Sequence, residues 1–120
     1  MNESRYGQVF SDAADSVMIS IGADESYIAG GNSYFTVDTH ISYLDECMAG
    51  DEIEVRSSVI FADGKKLKLA HTMNHVDGRT LSKAEQLLVH VDLQTRKSCL
   101  PNDEMLRKIE ILAAQYSAAD

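Results

Sequence analysis

Two Asp-Gly pairs, Asp63-Gly64 and Asp77-Gly78, constrain this 120-residue chain more than any other feature. A two-residue hairpin turn needs positive φ at its central residues, which Asp-Gly adopts at little cost. Each pair stands between runs of alternating apolar residues. In EIEVRSSVIF, Ile53, Val55, Val59 and Phe61 share one side. In LKLAHTMNHV, Leu67, Leu69, His71, Met73 and His75 share one face. TLSKAEQLLVHVDLQ follows, untidy around Lys83 and Glu85, where a bulge or a change of environment is expected. The three runs predict an antiparallel meander with one buried face.

Something must cover that face, and the first residues supply it. Tyr6, Val9, Phe10, Ala13, Val17 and Met18 follow the spacing of one helical face, predicting a helix from Glu3 to Ile21 with Gly22 as its stop. ADESYIAGGNS then reads as a loop. SYFTVDTHISYL reads as a further strand, with Phe35, Val37, Thr39, Ile41 and Tyr43 on its buried side, and AGD at 49–51 as a turn. Asn102, with Asp103 and Glu104 behind it, caps a last helix striped by Met105, Leu106, Ile109, Leu112 and Ala113. The closing SAAD is expected to fray. The order predicts one α+β domain in which a curled antiparallel sheet wraps a long central helix, with a C-terminal helix added.

Composition excludes several functions. The net charge of −8 argues against nucleic-acid binding, which needs an excess of Lys and Arg. The chain carries no long apolar run and no basic-then-apolar leader, so neither membrane nor secretion is implied. Cys47 and Cys99 have no metal-type or redox spacing and read as free thiols in a reducing cytoplasm. No Gly-x-Ser-x-Gly elbow or Cys/His nucleophile pairing is present. His71 and His75 lack the further partner a metal site needs. His90 and Asp92 share a strand face to which the sequence brings nothing else. Lys65, Lys66 and Lys68 form a local basic cluster, either a solvated surface or a hold for an anionic ligand.

Several blocks carry a resemblance. The opening MNESRY is similar to the end of the G-H-V-N-N-x-x-Y signature of hotdog-fold acyl-CoA thioesterases of the 4-hydroxybenzoyl-CoA-thioesterase-like branch, with Asn2 and Tyr6 at matching places. ESRYGQVFSDAADSVM, GGNSYFTVDTHISYL, AGDEIEV and AEQLLVHVD resemble, in order, the betainyl-CoA thioesterases of carnitine breakdown, some fused to a carnitine dehydrogenase. The resemblance implies a cytoplasmic homodimer or homotetramer that hydrolyses a short acyl-CoA, possible substrates including betainyl-CoA, with coenzyme A as part of the substrate and no separate cofactor or metal. It also implies that the family's first strand and its catalytic Asp would lie ahead of Met1. A catalytically weak acyl-CoA-binding module is therefore the alternative. A dehydratase ranks lower, since its Asp and His belong on that same absent loop.

Thioester hydrolysis needs an activated water or attacking carboxylate, donors for the oxyanion, and a hold on CoA. A helix N-terminus offers free amides and a positive dipole end. Asn2, Glu3 and His40 are the catalytic candidates. Asn2 is a site residue or only a cap. Glu3 is a substitute base, a partner for a cationic acyl group, or a dipole-stabilising acid. His40 orients a water or carbonyl, or stands at a dimer contact. Tyr6, Tyr34, Thr36 and Asp38 are the substrate-binding candidates, with Tyr6, Tyr34 and Asp38 forming an aromatic and acidic cage for a quaternary ammonium. Lys65, Lys66 and Lys68 are the CoA-binding candidates.

Overall fold

The structure is a computed structural model and describes residues 3–48 and 50–116, with side chains from Arg5 onward. Its elements run α1 (Glu3–Ser20), α2 (Glu25–Ala29), β1 (Asn32–Tyr43), β2 (Ile53–Asp63), β3 (Lys66–His75), β4 (Thr80–Asp92), β5 (Lys97–Ser98) and α3 (Asp103–Gln115). SAAD lies outside the described residues.

Tyr6, Phe10, Ala14 and Met18 are buried one turn apart along α1, with Ile21 just past its end. The helix ends as its glycine requires. Gly22 takes φ 90°, and the amide of Ala23 reaches back to the Met18 carbonyl at 2.9 Å. The segment read as loop contains α2. Asp24 Oδ1 accepts the Tyr27 amide at 3.2 Å and caps a single short helix, so Gly30 and Gly31 mark only its exit.

The four long strands form one antiparallel sheet in the order β1-β4-β3-β2. The β2-β3-β4 meander turns at both expected places, but in each only the glycine is left-handed, Gly64 at φ 57° and Gly78 at φ 100°. Asp63 still pairs with Lys66, so the first turn is centred on Gly64 and Lys65, and the second is a longer loop from Asn74 to Thr80; neither has the two positive-φ central residues expected of Asp-Gly. β1 pairs with β4, so residues 44–52 carry the chain from one sheet edge to the other. Alternation identifies a strand but not its neighbour. β5, absent from the sequence reading, pairs briefly with the end of β4.

The register corrects three faces. In β2 it shifts between Val59 and Phe61, so Phe61 opposes Lys68 and is exposed instead of sharing the side of Ile53, Val55 and Val59. The shift between Thr36 and Asp38 makes Val37 an extra residue in β1. Ahead of it, Tyr34 and Thr36 oppose the buried His90 and Leu88; beyond it, Thr39, Ile41 and Tyr43 oppose the buried Gln86, Ala84 and Ser82. The inward positions are therefore even first and odd afterwards. Phe35 and Val37 are exposed, and Thr39 and Tyr43, though on the inward side, are exposed as well, so of the five positions the alternation marked as buried only Ile41 is half-buried. β4 is regular at Lys83 and Glu85; its inward face simply includes polar Ser82, Gln86 and His90. Its irregularity falls at Leu81, where the pairing to β3 shifts.

α1 lies along the inner face of the sheet. Its first half packs Tyr6 and Phe10 with Met73, Leu81, Ala84 and Cys47. Its second half packs Ala14, Met18 and Ile21 with Leu67, Leu69, Leu88 and the α3 stripe of Met105, Ile109 and Leu112. Asn102 caps α3 through the Met105 amide at 2.8 Å. The end of α3 also serves the β2 edge, because the Val59 amide donates to the Tyr116 carbonyl at 2.6 Å.

Candidate active site

The crossing loop packs against the first turn of α1 at Tyr6. Tyr6 is buried; its hydroxyl donates to the Asp45 carbonyl at 3.2 Å and its ring meets Tyr43 edge-on at 5.2 Å. Burial, then the neighbouring Cys47 and the carboxylates of Glu46 and Asp45, raise its phenol above the usual range. Arg79 pins the loop. Its Nη1 reaches Asp45 Oδ2 at 3.2 Å and the Glu46 carbonyl at 3.3 Å, while its Nε holds Asp77 Oδ2 at 2.9 Å. The Glu46 amide first, then Arg79, hold the Asp45 carboxyl below its ordinary value. His75 bridges Asp51 at 3.3 Å and Asp77 at 3.2 Å. An α-helix leaves its first amides without intrahelical acceptors, so this end can stabilise an oxyanion.

The sequence-derived candidates fall in several places. Asn2 lies outside the described residues, as does the side chain of Glu3. Tyr6 and Tyr34 belong to different halves of the core, so one chain does not bring them together as a cage. Asp38 and His40 stand beyond the β1 bulge, opposite Leu87 and Glu85, exposed on the outer face of the sheet. Thr36 and Tyr34 line a cavity described below. Lys65 donates to Ser98 Oγ at 3.3 Å, and Lys68 pairs with Glu85 at 3.2 Å. Lys66 and Lys68 flank Leu67, which packs in the core around the second half of α1, so the lysines are remote from the start of the same helix.

His71 is buried against Phe10, ring centroids 5.9 Å apart. Its Nε2 lies 2.8 Å from Gln86 Oε1 and its Nδ1 2.8 Å from Ser57 Oγ. Since the amide oxygen only accepts, Nε2 carries the proton and Ser57 donates to Nδ1. Burial lowers the pKa of His71, against the pull of Gln86.

His90 also converges on other groups, contrary to the sequence reading. Its Nε2 lies 2.5 Å from the Tyr27 hydroxyl, and its Nδ1 lies 3.0 Å from the Cys99 carbonyl and 3.4 Å from the Cys99 sulfur. The carbonyl only accepts, so Nδ1 carries the proton and Tyr27 donates to Nε2. Tyr34 stands edge-on to the imidazole at 5.0 Å. The period of two through Ser82, Gln86, Leu88 and His90 was the one sequence signal for this buried histidine. Its partners arrive from α2 and from the segment after β5, which no local pattern announces. Tyr27 and Tyr34 wall a cavity of about 340 Å³, between the second half of α1, α2 and the start of β1. This lies within the size range of small-molecule sites, about 300–1,000 Å³. No group of three metal-ligating side chains occurs among the described residues.

A central helix packed on a β1-β4-β3-β2 sheet, with a pinned loop against Tyr6 in its first turn, defines a hotdog domain. The chain belongs to the Thioesterase-like superfamily, whose sequence model matches residues 1–109. It is similar to a Ruegeria pomeroyi protein named L-carnitine dehydrogenase/betainyl-CoA thioesterase, at 46% identity over 105 residues, 88% of this chain and 21% of that one. It is also similar to a Pseudomonas aeruginosa betainyl-CoA thioesterase, at 34% identity over 120 residues, 98% of this chain and 76% of the other. The chain thus spans about a fifth of the Ruegeria protein, 21% of its length. Among solved structures, a Staphylococcus aureus protein in complex with CoA superposes with a TM-score of 0.94 at 24% identity, covering 100% of this chain and 77% of that chain. A Synechocystis 1,4-dihydroxy-2-naphthoyl-CoA thioesterase gives 0.81 at 17% identity, covering 93% and 84%.

Proposed function

We propose that this chain hydrolyses short acyl-CoA thioesters, betainyl-CoA foremost, to the free acid and CoA. The observation that carries the reading is the 34% identity to a betainyl-CoA thioesterase along 98% of this chain, with family membership beneath it. The free amides at the start of α1 would receive the thioester oxyanion as the carbonyl becomes tetrahedral. Tyr6, anchored to Asp45, fixes the wall of that end. Asn2, Glu3 and His40 remain the candidates for water activation and orientation, Tyr6, Tyr34, Thr36 and Asp38 for acyl contacts, and Lys65, Lys66 and Lys68 for the CoA phosphates. CoA enters as part of the substrate; no separate cofactor is invoked.

The working unit is a cytoplasmic homodimer or homotetramer. β1 leaves one edge open and exposes Phe35, Val37 and Tyr43, which suits antiparallel pairing with a second copy. Among the described residues, no helix is long and apolar enough to cross a membrane. The longer relatives combine two named activities, so an enzyme of carnitine oxidation is the natural partner.

The test is release of CoA thiol from a panel of short acyl-CoA esters that includes betainyl-CoA. Turnover that falls in Glu3→Gln or His40→Ala supports the reading. Tight acyl-CoA binding by a folded dimer without thiol release refutes hydrolysis and leaves a binding module.

A further inference from the structure

The cavity between α1, α2 and β1 carries a charge pattern of one sign. Asp15, Asp24 and Glu25 line it, with the rings of Tyr27 and Tyr34, and no Lys or Arg is among its lining residues. Asp24 is engaged as the α2 cap, but Asp15 and Glu25 make no ion pair among the described residues. Among the described residues, Tyr34 Oη is the buried side-chain polar atom without a hydrogen-bond partner. Its neighbour Tyr27 is held in place through His90. Carboxylates beside aromatic faces, over an apolar floor that includes Met18, favour a cation whose surface is methyl groups. A hydrated ammonium would instead demand hydrogen-bond acceptors on all sides.

We propose that this cavity receives a trimethylammonium group, and that Asp15, Glu25, Tyr27 and Tyr34 read its charge. The source is the acyl head of a cationic thioester or a free betaine, which share this chemistry. The first source rests on the thioesterase reading above, and it has a geometric consequence. Glu3 and Asp15 are about 18 Å apart along α1, at 1.5 Å per residue. That distance exceeds the length of a betainyl group, so the cavity and the helix start that serve one thioester belong to different chains. Antiparallel pairing of two β1 edges would supply this, because it sets the start of one β1, with Tyr34 and Thr36, beside the end of the other. Tyr43 at that end touches Tyr6 of its own helix start.

The deciding experiment titrates tetramethylammonium chloride into the full chain carrying labelled tyrosine rings. Saturable shifts of the Tyr27 and Tyr34 signals are expected, weakened by Asp15→Asn and Glu25→Gln, two exposed positions whose change leaves the fold intact. No shift, or shifts that both variants leave untouched, overturns the proposal. The source is then read from hydrolysis of betainyl-CoA against 3,3-dimethylbutyryl-CoA, in which carbon replaces the quaternary nitrogen. A preference of about tenfold or more in kcat/KM for the charged ester, reduced by the two variants, identifies the acyl head. Tetramethylammonium binding with equal hydrolysis of both esters supports the site with a free betaine as its ligand. If no ester is hydrolysed, the thioesterase reading fails by itself, and the titration still decides the cavity.

Discussion

Tyr27→Phe is the sharpest perturbation of this fold. The hydroxyl donates at 2.5 Å to Nε2 of His90, a side chain only 1% exposed. The Cys99 carbonyl already holds the proton on Nδ1, so the imidazole cannot change tautomer without facing that carbonyl with a lone pair. Removing the donor leaves a buried acceptor unpaired, which costs about 1–3 kcal/mol. For a domain with a total stability of about 5–15 kcal/mol this is a large loss. Its pH dependence separates it from simple loss of packing. Burial lowers the pKa of His90, and only the neutral ring accepts the Tyr27 proton. The penalty is therefore full above the ordinary histidine value of 6.5 and shrinks as pH falls through the lower folded value. Urea unfolding of both proteins at several pH values between about 8 and 5 measures it. A penalty that is flat with pH, or below about 0.5 kcal/mol, would refute the hydrogen-bond assignment.

Other outcomes follow from the same structure. His71 and His90 are both held neutral by burial, so the unfolded chain binds more protons than the folded one once pH drops below 6.5, and stability declines from there downward. An unchanged urea midpoint between neutral and mildly acidic pH would contradict this. Phe10→Ala empties the contact between α1 and His71 and should cost about 3–5 kcal/mol, read as a fall in the urea midpoint. Arg79→Ala removes exposed ion pairs and one exposed hydrogen bond, to the Glu46 carbonyl, and should leave global unfolding nearly unchanged. It should instead speed hydrogen exchange at the Leu44 and Asp45 amides, which donate to the Leu81 carbonyl under the pinned loop. Exchange at the wild-type rate would mean that Arg79 does not hold the loop.

Local chemistry is legible in this chain wherever one residue type forces one backbone state. Gly64 and Gly78 turn the meander, Gly22 ends α1, and Asn102 starts α3, each because neighbours within a few residues decide the energy. The helical stripe from Tyr6 to Met18 and the period of two through Leu67, Leu69, His71 and Met73 likewise determined which faces are buried. What depended on distant partners was decided only by the tertiary structure. The edge on which β1 pairs, and the extra Val37 that leaves Tyr34 and Thr36 inward and Phe35 outward ahead of it, are set by register against β4. The wall of Tyr27, Tyr34 and His90 joins α2 and β1 to the distant β4, and the Tyr27 hydroxyl meets the His90 ring because burial penalises polar atoms that stay unpaired. The acids of the cavity likewise look like ordinary surface charges in the sequence, since only folding gathers Asp15 from α1 with Asp24 and Glu25 around a pair of tyrosine rings.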